Sequence, residues 1–305
     1  MKMENGMNFE EVLKSKTDRA ERVLFKYMPE ETGFQKKLLE AMNYSVSAGG
    51  KRLRPILMEE SFLLFGGKGA YIEPFMAALE MIHNYSLIHD DLPAMDNDEY
   101  RRGRLTTWKV YGEGMAVLSG DGLLNLAFET AADAFTLAED ENELRRIAGA
   151  IRILGKKAGI YGMIGGQCGD LEAEAALDVS GEMLTFIHEN KTAALLQAAF
   201  MIGAVLAGAD EDEVGRMEQA AYDIGIAFQI QDDILDVTSS TEILGKPVGS
   251  DEKNNKLTYV SMHGLEKSRE EVLRLSEEAL EILGSFDRKN PFLEELVRSL
   301  AGREK

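Results

Sequence analysis

Apolar residues recur along the chain at three- and four-residue spacing, the period of a helix that buries one face. The pattern predicts helices over 8–28, 31–48, 54–66, 71–91, 109–138, 140–158, 161–176, 181–207, 211–237, 255–262, 266–284 and 291–302. No proline occurs between Pro93 and Pro247, and the residues between are rich in Ala, Leu, Glu and Met. Ser180 and Asp210 stand where N-caps belong, just before GEMLTFIHEN and EDEVGRMEQA. Valine or isoleucine alternation bounded by Asn-Gly or Asp-Gly is nearly absent, so strands are not expected. The stretches 181–207 and 211–237 are apolar around much of their circumference and read as buried central helices. A bundle built on such helices can hold a ligand between them. No short repeat or low-complexity linker divides the 305 residues, and the expectation is one all-α domain over 1–305.

A hydrophobic share of 45% is ordinary for a protein with a substantial core. The single cysteine, Cys168, excludes an intrachain disulfide, fits a reducing compartment, and reads as a small buried apolar residue. The start, MKMENGMNFEEVLKSK, has no apolar signal-peptide core, and no uninterrupted apolar run reaches the roughly 18 residues of a membrane span. A soluble, cytoplasmic protein without a membrane partner is expected. The net charge of −19 argues against nucleic acid, whose phosphates demand a basic surface. Acidic runs such as Glu139–Glu143 and Asp210–Glu213 read as solvated helix starts.

Two acidic clusters are different, because both lie on otherwise apolar helical stretches. The first is Asp90-Asp91-Leu92-Pro93-Ala94-Met95-Asp96 and the second Asp232-Asp233-Ile234-Leu235-Asp236. Carboxylates at the C-terminal end of a helix oppose its dipole, and buried carboxylates carry a heavy desolvation cost, so each cluster calls for a cation. Arg101, Arg102 and Arg104 follow the first cluster and Lys246 the second, as if to hold an anion beside a metal. Mg²⁺ is usually gripped by one or two carboxylates, waters and phosphate oxygens, and a diphosphate substrate is the natural inference. Pro93 ends the first helix near Asp91. On a straight helix Asp96 would point about 240° away from Asp90, whereas a chain folding back at the proline presents both together. In the second cluster Gln229, Asp233 and Asp236 fall at i, i+4 and i+7, with Asp232 one turn before Asp236, so all can share a stripe. An ion-paired structural network is the competing reading there.

The cationic side begins with Gly49-Gly50-Lys51-Arg52-Leu53-Arg54-Pro55 at a helix start, where backbone N–H groups favour anions. With Arg101 and Arg102 it could form a second, metal-free anion pocket. His83 lies two turns before Asp90 on nearly the same face, while His89, His188 and His263 show no such arrangement. Lys191-Thr192 and Lys246 add cations around the apolar helices. A Walker-type loop is missing, and no nucleophile–base pair is evident.

From GGKRLRP through HNYSLIHDDLPAMDNDEYRRG and GGQCGDLEAE to HENKTAALL and FQIQDDILDVTSSTEILGKPVGSD, the chain resembles the trans-isoprenyl diphosphate synthases (polyprenyl synthetases), above all the bacterial farnesyl diphosphate synthases. The resemblance implies an all-α isoprenoid synthase fold, with helices surrounding a deep cavity, usually as a homodimer. It implies about three Mg²⁺ ions, replaceable by Mn²⁺, bound by Asp90, Asp96 and Asp232 with Asp91, Asp233 and Asp236 in support. The allylic diphosphate would meet Arg101, Lys191, Thr192, Gln229, Asp236, Lys246 and Lys256, with Lys191, Thr192, Gln229 and Lys246 nearest the chemistry. Isopentenyl diphosphate would lie in a pocket of Lys51, Arg54, His83 and Arg102. The implied reaction condenses isopentenyl diphosphate with dimethylallyl and geranyl diphosphate to give farnesyl diphosphate, by ionisation, condensation and elimination, with released diphosphate as the base.

In the family an aromatic residue five positions before the first Asp, with a longer first motif, goes with a fifteen-carbon product. Tyr85 occupies that position, about 7.5 Å below Asp90 along a helix, although helical phase puts the smaller Ser86 more directly beneath it. Geranylgeranyl or geranyl diphosphate synthase is the alternative within the class. A cyclase would lack GGKRLRP, and a non-catalytic subunit of a heteromer would have lost one acidic cluster. Glu99, Arg104, Leu105, Trp108 and Ala193 depart from the usual family residues, and the loop after Arg102 is expected to close differently.

Overall fold

The computed structural model describes residues 8–176, 179–238 and 257–303. Asn8 starts the first helix by accepting from the Glu11 N–H while the Glu11 carboxylate accepts from its own, both at 2.9 Å. The helices are α1 (Phe9–Lys26), α2 (Lys36–Val46), α3 (Leu53–Leu64), α4 (Glu73–Asp90), α5 (Thr107–Tyr111), α6 (Glu113–Asp133), α7 (Glu141–Ala158), α8 (Met163–Ala175), α9 (Gly181–Ile187), α10 (Ala194–Ala207), α11 (Glu211–Thr238), α12 (Tyr259–His263), α13 (Leu265–Gly284) and α14 (Pro291–Ala301). The all-α expectation holds, apart from a hairpin of β1 (Tyr100–Arg101) and β2 (Arg104–Leu105). Arg102 and Gly103 make its turn with φ of 52° and 74°, the left-handed pair that a two-residue hairpin requires.

The differences from the periodicity have local causes. The helix expected from 31 begins at Lys36, because Gly33 takes a φ of 75° ahead of it. The stretch 109–138 is broken by Gly112, whose φ of 86° separates α5 from α6, and it ends in a 3₁₀ turn at Ala134–Leu137. The stretch 181–207 is continuous, but His188–Ala193 is wound with π-helical spacing.

α10 lies at the centre, packed on α3, α7 and α11, while α4 packs on α6 and α11 on α13. Gly203 lets α10 touch α3: a Cβ there would stand 2.3 Å from the Met58 carbonyl oxygen. The Ser61 hydroxyl fastens the same contact by donating to the Phe200 carbonyl at 2.7 Å. α11 has two buried faces. Ile224 joins the main core, whereas Ile226, Ile230 and Ile234 pack with Val272 and Leu275 of α13, which explains why its apolar residues run round the helix. The segment Gly181–Ala207 is long and apolar enough to cross a membrane by composition alone, yet 67% of its apolar window is buried inside this fold.

Asp223 sits on α11, buried, and accepts from the Gln219 amide at 2.9 Å. Burial pushes its carboxyl up to about 6. A raised folded-state pKa means that its contribution is fully present below about pH 4 and lost as pH rises through 6. Asp223→Asn should therefore stabilise the fold by about 1 kcal/mol at pH 7.5 and leave it unchanged near pH 4. Chemical denaturation at the two pH values checks this.

Candidate active site

The connection into α3 is built from left-handed residues: Gly49, Gly50 and Arg52 have φ of 81°, 145° and 49°. Arg52 turns inward, donating to Glu80 Oε1 and to the Val46 carbonyl, each at 2.8 Å. Arg54 is different. Its Nε is buried and has no hydrogen-bond partner among the described residues. Burial pulls its pKa down, with Glu80 opposing and Arg102 adding to the fall. Arg102 reaches back to donate to the Gly49 carbonyl, and burial lowers its pKa too. His83 is held well below the ordinary imidazole range, first by burial and then by Arg54, Arg102, Arg101 and Arg52, so it is neutral. Two desolvated guanidiniums beside a neutral imidazole make a site that an anion would relieve. Lys51 lies exposed on the same connection.

α4 ends at Asp90, and the Asp96 N–H donates to the Asp90 carbonyl at 2.8 Å. The chain thus folds back after Pro93 as expected. Burial pushes the Asp90 carboxyl up to about 6, opposed by Lys191 and reinforced by Asp96. Asp91 is likewise pushed to about 6 by burial against the pull of Arg101, whose Nε donates to Asp91 Oδ1 at 2.6 Å. Arg101 and Arg102, neighbours in sequence, therefore serve different places. Arg101 pairs with Asp91 of the acidic cluster, and its charge still bears on His83 in the anion pocket where Arg102 lies.

The π-wound turn carries Lys191 and Thr192. Lys191 pairs with Asp170 of α8, and α8 comes so close that a Cβ on Gly166 would stand 2.1 Å from the Lys191 nitrogen. Thr192 Oγ1 donates to Gln229 Oε1 at 3.0 Å, and Gln229 Nε2 donates to Asp233 Oδ1 at 3.1 Å. Asp233 Oδ2 accepts from the Tyr259 N–H at 2.9 Å, at the start of α12. Lys191, Thr192, Gln229 and Asp233 line a cleft of about 270 Å³ together with Asp232, Asp170 and His188. Lys191 also bears on Asp90, so it stands between the two acidic clusters.

The second cluster does not present its three carboxylates alike. Asp233 and Asp236 are buried, whereas the Asp232 side chain is 48% exposed and paired with Arg303 at 2.7 Å. Asp170, His188 and Arg303 were not legible as site residues. Asp170 lies inside the GGQCGDLEAE segment, and His188 one turn before Lys191 was the available signal. Cys168 is exposed, against expectation, because α8 turns Gly166, Gly169 and Asp170 inward instead. Lys246 and Lys256 lie outside the described residues.

Among the described residues no three carboxylate or histidine side chains converge into a ready-made cage. The donors are nevertheless hard oxygens, and burial has raised Asp90 and Asp91 in the way a bound cation would reverse. The set fits Mg²⁺ whose shell is completed by phosphate oxygens and water. The departures in the loop are tied together: Trp108 Nε1 donates to the Asp98 carbonyl at 2.8 Å, Lys109 pairs with Glu99 at 2.5 Å, and Arg104 stacks on Tyr44. Ala193 is accommodated by Gly225, where a Cβ would stand 2.4 Å from the alanine methyl.

A family profile described as "Polyprenyl synthetase" matches residues 35–291. The chain belongs to the polyprenyl synthetase family. This polyprenyl synthetase is 40% identical over 303 residues to a farnesyl diphosphate synthase of Geobacillus stearothermophilus, covering 98% of the chain and 99% of that protein. It is 48% identical over 253 residues to the heterodimeric geranylgeranyl pyrophosphate synthase large subunit 1, chloroplastic, of Arabidopsis thaliana, covering 82% and 68% respectively. Among solved structures it is similar to an FPP/GFPP synthase from Zymomonas mobilis, with a TM-score of 0.85, 32% identity and coverage of 97% and 99%. The chain is thus a short-chain trans-prenyltransferase with the all-α isoprenoid synthase fold.

Proposed function

We propose that this polyprenyl synthetase makes farnesyl diphosphate, using Mg²⁺, from isopentenyl diphosphate and the dimethylallyl and geranyl diphosphates. The observation that carries the product length is Tyr85. It is 5% exposed, its ring meets the His89 ring edge-on at 5.8 Å, and its hydroxyl is buried with no partner among the described residues. Burial, reinforced by the charge of Asp90, pushes that hydroxyl up to about 12. An aromatic ring buried within the electrostatic reach of Asp90 is suited to stop a growing chain. Ser86 donates instead to the His83 carbonyl at 2.9 Å and adds little bulk.

Bound Mg²⁺ would neutralise the allylic diphosphate and favour its departure from carbon. Arg101 and Lys191 supply further positive charge on that side, and Thr192 and Gln229 present paired polar atoms next to them. The pocket of Arg54, His83, Arg102 and Lys51 suits the isopentenyl diphosphate, whose double bond then attacks the allylic cation. Among the described residues no general base stands out: His83 lies among arginines in the anion pocket, which leaves the departing diphosphate to take the proton.

Chromatography of products from isopentenyl and dimethylallyl diphosphates tests the reading, with a fifteen-carbon product expected. Tyr85→Ala should shift the main product to twenty carbons or more. An unchanged product length in that variant would remove Tyr85 as the wall. Geranylgeranyl diphosphate is the second reading, favoured by the names of several relatives, and a twenty-carbon product from the unaltered chain would establish it.

A further inference from the structure

We propose that Arg303 is a positioning residue that serves as an internal cation for the second acidic cluster, holding Asp232 until Mg²⁺ and diphosphate displace it. The inference rests on the Mg²⁺–diphosphate reading above. Its geometry is specific. Arg303 Nη2 donates both to Asp232 Oδ1 and to the Phe228 carbonyl, each at 2.7 Å. The guanidinium lies over the Phe228 ring, 3.5 Å from its centroid, and the Gln231 amide donates to the Arg303 carbonyl at 2.9 Å. Phe228, Gln231 and Asp232 fall at i, i+3 and i+4, so Arg303, just past α14, is docked on one stripe of α11. Only 9% of the Arg303 side chain is exposed.

Asp232 is the one member of its cluster that is about half exposed, and it lines the cleft shared with Lys191. Its Oδ1 is already engaged by a permanent positive charge. A divalent ion entering at that oxygen would meet the guanidinium at close range, where like charges repel. The two cations therefore compete for one carboxylate. Docking of Arg303 should oppose loading of the site, and loading should release Arg303.

The test uses the full chain, with Mg²⁺ and inorganic diphosphate as the probe. Hydrogen exchange at residues 299–303 should speed up when the probe saturates the wild-type protein. Calorimetry should find that Arg303→Gln binds the probe about tenfold more tightly, since one charge-assisted hydrogen bond no longer has to be broken. The melting temperature of the ligand-free variant should fall by a few degrees. A second variant, Phe228→Leu, keeps the arginine but removes its ring platform and should shift affinity in the same direction. Slower or unchanged exchange on loading, or affinity within twofold or weaker in Arg303→Gln, would overturn the proposal, since the arginine would then stay in place beside the metal. Absence of any probe binding to the wild-type protein would overturn the Mg²⁺–diphosphate reading itself, and this inference with it.

Discussion

Asp90→Asn should lower kcat for prenyl transfer by about three orders of magnitude, the scale of losing a preorganised charge at a developing ionic centre. Asparagine preserves the shape of the side chain and removes the charge. Asp90 is half-buried, with its carboxyl pushed up to about 6 chiefly by that burial, and Asp96 repels it further. Neutralising it relieves both effects, so the ligand-free variant should melt no lower than the parent. The combination separates chemistry from folding: activity collapses while the helical circular dichroism and the melting curve stay. The affinity for isopentenyl diphosphate, proposed to lie in the other pocket, should also stay. Retention of more than a tenth of the parental kcat would show that Asp90 does not hold the cation.

The second large effect is expected at Arg54. Arg54→Met should raise KM for isopentenyl diphosphate about a hundredfold, the worth of one or two charge-assisted hydrogen bonds to phosphate. The geometry makes the direction firm. Nε of Arg54 is buried without a partner among the described residues, and Arg102 repels the guanidinium. Methionine removes that strain in the empty pocket and the binding energy in the filled one. The affinity for geranyl diphosphate should change less than threefold, because its diphosphate is proposed to lie with Arg101, Lys191 and the acidic clusters. Steady-state kinetics with each substrate varied in turn, together with equilibrium binding of geranyl diphosphate, check both halves. Equal losses for the two substrates would show that the anion pockets are not separate.

Helix existence was legible because an amphipathic period survives any tertiary context that buries one face. Helix interruption was not. Gly112 sits in a segment that still reads as periodic, and its left-handed backbone leaves no mark on the pattern of side chains. The π-wound turn is hidden for the same reason, since Lys191 and Thr192 would be polar under either winding. The acidic clusters were visible because charge on an apolar helix is expensive, and the return of the chain at Pro93 followed from proline sterics. The separate duties of Arg101 and Arg102 needed the hairpin, where adjacent residues face different ways and one has a positive φ. The contact between Arg303 and Asp232 joins positions 71 residues apart, and no local spacing could announce it.

The π-wound turn at His188–Ala193 has an evolutionary consequence. Such a bulge is what a regular helix becomes after gaining one codon, and the looser winding costs stability. Shortening the gene by that codon would restore even winding and give a sturdier protein, but it would swing Lys191 and Thr192 away from Asp170 and Gln229. Robustness alone would favour the deletion, whereas the present placement of Lys191 and Thr192 depends on the extra residue.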